Sequence, residues 1–328
     1  MDAPANNGRL APSSPERPAS PRAESHAGDR IFAVGTTLLG GAVLVVVGLI
    51  VLVCARLSLP AFAKLGLFHF LGGSDWNPVE DSFGALPFIY GTLVTSAIAI
   101  VLAMPVAIGL ALFLTEMSPA RVRRFVSFFV EILAAIPSVV FGLWGLLVLV
   151  PILRDTVEPA LGRWLGWMPL FSGAPLGIGF LPAGIVLSIM ILPTIASVTI
   201  EVLRTMPAAL REGALALGAT RWEAIRAVVL PYASRGIMGA VILGLARALG
   251  ETMAVTMLIG NQPEIHGSLF AAGYSLPSVI ANEFAEASGA VHTGALAGLA
   301  LVLFGVTLML SASARLLVRL SAPRLVTA

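Results

Sequence analysis

The sequence predicts an all-α membrane protein that crosses the bilayer six times. Three observations predict this class: an excess of apolar residues, six apolar segments long enough to span a bilayer, and an uneven distribution of arginine between the loops. Of the 328 residues, 57% are hydrophobic and 12% are charged, and the mean hydropathy is +0.93. A soluble domain carries about 25% charged residues, so much of the apolar surface must face lipid. The net charge of +2 does not indicate a nucleic-acid partner.

Six segments approach or exceed the length of about 20 mostly apolar residues that a helix needs to cross the hydrocarbon core. They are Ile31–Cys54, Pro87–Leu114, Phe125–Val150, Leu181–Ile200, Gly236–Gly260 and Thr293–Ala314. Three of them contain a proline, Pro105, Pro137 or Pro193. Membrane helices tolerate proline where neighbouring groups satisfy the freed carbonyls. The first segment is longer than the apolar part of a typical signal peptide, which favours a signal-anchor helix over a cleaved signal.

The remaining boundaries follow from the composition and the spans. Residues 1–30 are rich in Pro, Ser, Ala and Arg and hold few large apolar residues, which predicts a disordered tail. Residues 55–86 are predicted to form an extracytoplasmic loop, and residues 87–314 a core of five helices. This core includes a cytoplasmic loop, residues 204–235, and a second tail follows at residues 315–328.

The two sides of the membrane carry very different numbers of basic residues. Fifteen of the 20 Lys and Arg residues fall on the side of the two termini, and only Arg56, Lys64, Arg154 and Arg163 fall on the other. Loops rich in Lys and Arg remain in the cytoplasm. Both termini and the loop 204–235 are therefore predicted to be cytoplasmic.

The loop 204–235 is predicted to contain two short helices. The first is expected at Ala208–Leu217, which is built from strong helix formers, and Gly218 permits the positive φ that ends it. Thr220 and Glu223 fit a capping box at the start of the second helix, and Pro231 is expected to close it. The apolar face of the second helix is predicted from the spacing of Trp222, Ile225, Val229 and Leu230, with Arg221 and Arg226 on the other face.

This loop resembles the EAA signature of ABC importer permeases, in which a glutamate, a glycine six residues later and an aliphatic-x-Leu-Pro end recur. The matching positions are Glu212, Ala214, Gly218, Val228, Leu230 and Pro231. Gly213 stands where alanine is usual, and Val228 where isoleucine is usual. The resemblance implies that the loop forms the coupling helices that insert into a cleft on a separate ATPase. A re-entrant or membrane-surface amphipathic helix is the alternative.

Four further segments look like the C-type permease subunit of phosphate-specific ABC importers: Gly84–Pro119, Glu131–Gly145, Ala246–Asn261 and Ala281–Ala287. This resemblance implies the type I ABC importer permease fold and the import of inorganic phosphate across the inner membrane of a bacterium. It also implies an assembly with an A-type permease subunit, two ATP-binding ATPase subunits and an extracytoplasmic phosphate-binding protein. An importer of sulfate or molybdate is one alternative. A proton-coupled secondary transporter is an alternative from another class.

The sequence contains no pattern that predicts a catalytic, ATP-binding or metal site. A P-loop needs a lysine that reaches the phosphates, but the only lysine, Lys64, is followed by Leu65. ATP hydrolysis is therefore expected from another chain, and no cofactor is predicted. No metal site is predicted, because no histidine has another histidine or a cysteine three or four residues away. The histidines are His26, His69, His266 and His292, and Cys54 is the single cysteine.

Arg247 and Glu251 are the two charged residues of the fifth predicted span, and their spacing predicts that they share one helix face. A charge at the bilayer centre costs about 2.5–3.5 kcal/mol, so the two are expected either to pair or to face a polar path. Arginine can hold phosphate oxygens through bidentate hydrogen bonds. Both are thus candidate residues of the translocation path, with a packing ion pair as the alternative. Weaker candidates are Glu131, for which a structural role is favoured, Ser138, and the outer-loop acids Glu283 and Glu286, which are expected to be solvated.

Overall fold

The computed structural model describes residues 26–321, and the side chains of residues 28–316. Most of this part is helical, and six helices are long and apolar enough to cross a membrane, which confirms the predicted class. The chain divides into two compact units, residues 1–50 and 51–328. In the first unit the described part belongs to one helix that begins at His26, so residues 26–30 of the predicted tail are helical. Residues 1–25 of that tail lie outside the described residues.

The elements follow one another in a simple order, with one small hairpin on the way. The helices are α1 (His26–Leu65), α2 (Leu67–Gly72), α3 (Leu86–Leu112), α4 (Ala120–Ala135), α5 (Ser138–Trp144), α6 (Val150–Ile152), α7 (Glu158–Leu165), α8 (Phe180–Arg204), α9 (Ala208–Ala216), α10 (Arg221–Ala224), α11 (Leu230–Leu249), α12 (Met253–Leu258), α13 (Leu276–Glu283) and α14 (Gly289–Ser321). π-Helical turns at Phe113–Met117, Gly145–Leu149, Leu153–Val157 and Ile225–Val229 extend or join them, and a 3-10 turn lies at Pro169–Phe171. Strands β1 (Trp76–Asn77) and β2 (Ser82–Phe83) pair antiparallel.

The third span lies further along the chain than predicted. It runs over Ser138–Leu165 rather than Phe125–Val150, because α4 is a separate helix. The break falls at Ile136, which adopts an extended conformation before Pro137. Proline disfavours the helical conformation in the residue that precedes it. The predicted third span was therefore wrong in its position, although the number of spans was right.

The fifth span is displaced in the opposite direction. It runs over Arg221–Leu249 rather than Gly236–Gly260, and a short helix, Met253–Leu258, follows it. The helix stops at Gly250, where the freedom of glycine makes continued helix unfavourable. The second helix of the loop 204–235 is thus the beginning of the fifth span.

Helix α8 lies at the centre of the second unit. It is the most deeply buried of the six spans. It packs along α3 and α11 through close contacts at two glycines. A Cβ placed on Gly184 would lie 2.5 Å from Cγ2 of Ile98 in α3, and one on Gly244 of α11 would lie 2.6 Å from Cγ1 of Ile195. Such close backbone approach through small residues is how helices associate within a membrane.

Candidate functional site

The loop 204–235 contains two helices joined by a glycine turn, as predicted. Gly218 follows α9 with a φ of +88°, a left-handed conformation that glycine adopts without steric cost. Thr220 then caps α10. Its Oγ1 accepts a hydrogen bond from the amide of Glu223 at 3.3 Å, and Oε2 of Glu223 accepts one from the amide of Thr220 at 2.8 Å. The positive φ and the capping box both confirm the sequence predictions.

Pro231 does not end the second helix, which continues without a break over Arg221–Leu249. The π-helical turn Ile225–Val229 precedes the proline, and in it the amide of Leu230 donates to the carbonyl of Ile225. This wider turn accommodates a residue that has no amide and whose ring crowds an ordinary α-helical turn. The prediction that Pro231 closes the helix is therefore wrong.

A small apolar cluster holds the second helix against the other spans. Ile225 and Val229 are buried, and they share this cluster with Leu114 at the end of the second span and Leu203 at the end of the fourth. Burying side chains of this size contributes about 1.5–3 kcal/mol each. The start of the second helix is therefore fixed to the ends of two other spans.

Two large apolar side chains flank the glycine turn and remain exposed. Trp222 has the helical spacing of the buried residues but projects beyond their cluster, and it is 65% exposed. Leu217, on the other side of the turn, is 91% exposed. Large exposed apolar side chains beside the turn make this part of the loop a candidate interaction surface. We call Leu217 and Trp222 the apolar tip of the loop.

The five residues predicted to couple the chain to an ATPase lie in both helices of the loop and in the turn between them. Glu212 in α9, Gly218 in the turn and Pro231 in α11 are exposed. Ala214 and Leu230 are half-buried and face the chain itself. The exposed three are accessible to a partner, whereas the other two contribute to packing.

An ion pair that the sequence did not predict joins α9 to the second span. Nη2 of Arg211 lies 2.6 Å from Oε1 of Glu116, whose side chain is 6% exposed. The two residues are 95 positions apart in the chain, and no short-range spacing relates them. Together with Arg221 they line a cavity of about 190 Å³.

Arg247 and Glu251 do not share the face of one helix. Arg247 lies in the last turn of α11 with an exposed side chain, whereas Glu251 follows the end of that helix and is half-buried. Oε1 of Glu251 lies 3.5 Å from the amide of Ala254 in the next helix. Among the described contacts, no hydrogen bond or ion pair joins Arg247 to Glu251. The predicted one-face geometry is wrong, because Gly250 ends the helix between them.

Glu131 and Ser138 lie on either side of the break at Pro137. Glu131 is exposed on α4 and lines a cavity of about 250 Å³ together with Glu201 and Arg204 of the fourth span. Arg204 pairs with Glu201 at 2.8 Å. Ser138 begins α5 and is half-buried.

Glu283 is part of a structured cluster at the opposite end of the second unit. Its Oε2 accepts a hydrogen bond from Nε1 of Trp76 at 2.9 Å and lies 3.3 Å from Nε2 of His292. The ring of His292 stacks on Phe83 at 5.2 Å. The expectation of a solvated Glu283 is therefore wrong, whereas Glu286 is exposed. We call these contacts the outer clasp, because they join the β1–β2 hairpin to α13 and α14.

The residue before Glu283 adds a further contact close to the outer clasp. Nδ2 of Asn282 donates to the hydroxyl of Tyr274 at 3.0 Å. Burial of this hydroxyl raises the pKa of Tyr274 to about 12, so it stays protonated throughout the physiological range. Through Asn282 and Glu283, the segment Ala281–Ala287 thus helps to order the end of the second unit that carries the outer clasp.

A groove of about 720 Å³ opens beside the outer clasp. One wall is the segment around the hairpin, with Asp75 and Glu80, and the other is the segment around Glu264 and His266. Glu264 and His266 contact each other at 2.8 Å. Within residues 28–316, no three His, Cys, Asp or Glu side chains are grouped as a metal site would require.

Comparison with known proteins shows what this arrangement resembles. A family model described as "Binding-protein-dependent transport system inner membrane component" matches residues 103–327. The "Phosphate transport system permease protein PstC" of Mesorhizobium japonicum is 47% identical over 90% of this chain and 91% of that protein. The protein of the same name from Pasteurella multocida is 49% identical over 80% of this chain and 82% of that protein.

The fold is also found among solved structures. A chain of a bacterial ABC transporter involved in the import of the acidic polysaccharide alginate superimposes with a TM-score of 0.61 and 19% identity. The match covers 90% of this chain and 98% of that chain. At this identity the likeness bears on the fold alone.

Proposed function

This chain belongs to the family of binding-protein-dependent transport system inner membrane components, and we propose that it is the C-type permease subunit of an ATP-driven importer of inorganic phosphate. It is a multi-pass inner membrane protein with the type I ABC importer permease fold. The observation that carries the proposal is the identity of 47% to a phosphate permease over nearly the whole of both chains. The loop 204–235 supports it, because its first helix and its apolar tip are exposed and suit the binding of an ATPase.

ATP hydrolysis belongs to separate ATPase subunits in this proposal. The only lysine of the chain, Lys64, is not in a P-loop, so the chain requires a partner that supplies the nucleotide site. The coupling residues are Glu212, Ala214, Gly218, Leu230 and Pro231, with the apolar tip as the part that enters the ATPase. The distribution of arginine supports a cytoplasmic position for this loop and for both termini.

The second permease subunit of the proposed assembly is an A-type chain that forms a heterodimer with this one. Arg247 is exposed at the end of an apolar span, and a charged side chain in a membrane segment faces protein or a water-filled cavity rather than lipid. The residues that the structure describes leave Arg247 exposed. A second permease chain supplies the missing wall.

Arg247 and Glu251 line the translocation path in this proposal. A guanidinium can bind a phosphate oxyanion through two parallel hydrogen bonds, and Arg247 has none of its donors engaged by an acidic side chain among the described residues. Glu251 lies four residues further on and carries the opposite charge. Its carboxylate weakens anion binding at this place, which favours release.

In this proposal, the extracytoplasmic phosphate-binding protein docks at the end of the second unit that carries the outer clasp. The adjacent groove carries three carboxylates, those of Asp75, Glu80 and Glu264. Complementary charge accelerates association and fixes orientation. We therefore expect basic residues on the face of the binding protein that meets this groove.

Transport by the reconstituted complex tests the proposed function. The purified assembly in vesicles, with the binding protein outside and ATP on the ATPase side, is expected to accumulate radioactive phosphate only when ATP is present. A tenfold excess of sulfate or molybdate is expected to leave the uptake unchanged. Preferential uptake of another oxyanion would overturn the assignment of phosphate as the substrate. Uptake driven by a proton gradient without ATP would identify a secondary transporter instead.

A further inference from the structure

Helix α9 is attached to the rest of the chain in an unusual way. None of its residues is buried, and only Arg211 and Ala214 are even half-buried. These two lie three positions apart and so share one face. The half-buried residues of α9 are therefore one arginine and one alanine.

The guanidinium makes the only side-chain hydrogen bond of α9 to another span within the described residues. Nη2 of Arg211 lies 2.6 Å from Oε1 of Glu116. The carboxylate is the more deeply buried partner, with 6% of its side chain exposed against 34% for Arg211. A buried carboxylate that loses its partner is strongly destabilised, so Glu116 must follow Arg211 when α9 moves.

Glu116 is well placed to pass such a movement to the membrane helices. It lies in the π-helical turn Phe113–Met117, which continues α3. Leu114 of the same turn is buried in the apolar cluster that includes Leu203 of the fourth span. A shift of α9 against Glu116 therefore acts on the second span at the point where that span meets the fourth.

We propose that the Arg211–Glu116 ion pair transmits the movement of the coupling helix α9 to the second membrane span. Both are positioning residues, and the proposal rests on the proposed function as an ATP-driven importer. The ion pair links ATP hydrolysis to opening of the path, whereas Leu217 and Trp222 of the apolar tip hold the ATPase. Loss of the ion pair therefore separates hydrolysis from transport without releasing the ATPase.

The test compares variants within the complete reconstituted complex. Glu116→Gln keeps a hydrogen-bond acceptor for Arg211 but removes the charge, and Arg211→Ala removes the guanidinium. The exchanged double variant, Glu116→Arg with Arg211→Glu, restores the pair in reverse. Arg204→Ala is the matched control, because Arg204 also forms an ion pair, with Glu201, but one that is exposed and within a single helix. Exposed pairs contribute little.

Three quantities are measured for the wild type and for each variant: co-purification of the ATPase subunit, the rate of ATP hydrolysis, and phosphate uptake. We expect Glu116→Gln and Arg211→Ala to retain the ATPase subunit and to lose about tenfold in phosphate moved per ATP hydrolysed. The exchanged variant is expected to recover at least part of this ratio, and Arg204→Ala to keep the wild-type ratio.

The outcomes separate this inference from the proposed function. If the wild-type complex moves no phosphate, the proposed function fails. If the wild type transports and Glu116→Gln keeps its ratio, the transmission role is overturned. If Arg211→Ala does not accumulate, Glu116→Gln and the exchanged variant still decide. If uptake and hydrolysis fall together in Glu116→Gln and in the exchanged variant, so that phosphate moved per ATP is unchanged, the pair has only a structural role. That result would also overturn the inference.

Discussion

At the scale of the residue, Arg247 is the side chain on which the proposed anion path depends. Its position was predicted only in part. The sequence indicated a charge within the fifth span, but the structure ends the helix at Leu249, two residues beyond it. The four-residue spacing to Glu251 indicated that both residues lie on one face of a helix. The helix ends before Gly250, so the two residues do not belong to the same helix. A spacing rule assumes that the helix continues between the two residues, so it does not account for an interruption at Gly250.

Replacement of Arg247 tests that path directly. We expect Arg247→Ala to lower phosphate uptake by about tenfold or more, because hydrogen bonds to a charged group contribute about 1.5–3 kcal/mol. Co-purification of the ATPase subunit is expected to remain at the wild-type level. Uptake into reconstituted vesicles is the measurement. A variant that fails to accumulate in the membrane, while Arg247→Lys accumulates and transports normally, would assign Arg247 to packing.

At the scale of the element, the turn at Gly218 allows a matched comparison with Gly213. A side chain at either position meets no atom within 4 Å, but only Gly218 has a positive φ. Gly218→Ala is therefore expected to strain the backbone by about 1–2 kcal/mol and to weaken binding of the ATPase. Gly213→Ala lies inside α9 and is expected to stabilise that helix by about 0.5–1 kcal/mol. Pull-down of the ATPase by the detergent-purified variants measures both, and equal binding by the two would contradict the role of the turn.

The apolar tip provides a second prediction at the same scale. Trp222→Ala is expected to weaken ATPase binding by about 2 kcal/mol or more, since exposed tryptophans at interface centres dominate binding energy. Trp167→Ala is the control, because Trp167 is also exposed, at 79%, but lies between the third and fourth spans. The equilibrium constant is measured by titration of labelled ATPase. Equal affinities for both variants would remove Trp222 from the interface.

The same elements show what the sequence could and could not predict. The capping box and the glycine turn depend on neighbouring residues, so the sequence predicted them correctly. Pro137 breaks its helix, whereas Pro105 and Pro193 lie inside theirs, and the residue type alone does not separate these outcomes. The Arg211–Glu116 pair joins positions far apart in the chain, so only the folded structure brings it into view.

At the scale of the whole molecule, the number of spans followed from composition, but the centre of the bundle did not. Helix α8 is no more apolar than the first span, yet its most apolar stretch is 67% buried against 0% for the first. Hydropathy measures transfer from water and does not distinguish lipid from protein. The position of α8 depends instead on the close contacts at Gly184 and Gly244.

Substitution of Gly184 tests this packing. We expect Gly184→Val to force α3 and α8 apart, because even a Cβ would lie 2.5 Å from Ile98, and overpacking costs about 1–3 kcal/mol. Gly109→Ala is the control, since Gly109 of α3 has open space around its Cα. The melting temperature in detergent is expected to fall for the first variant only. An unchanged melting temperature for Gly184→Val would show that the two helices separate easily.

The unbroken helix over Arg221–Leu249 connects the apolar tip rigidly to Arg247. At 1.5 Å per residue, Trp222 at one end lies about 37 Å along the axis from Arg247 at the other. A tilt of about 5° at the tip would carry the far end sideways by about 3 Å, which is the length of one hydrogen bond. In the proposed function, an ATPase that displaces the tip would therefore also displace Arg247 relative to a bound anion.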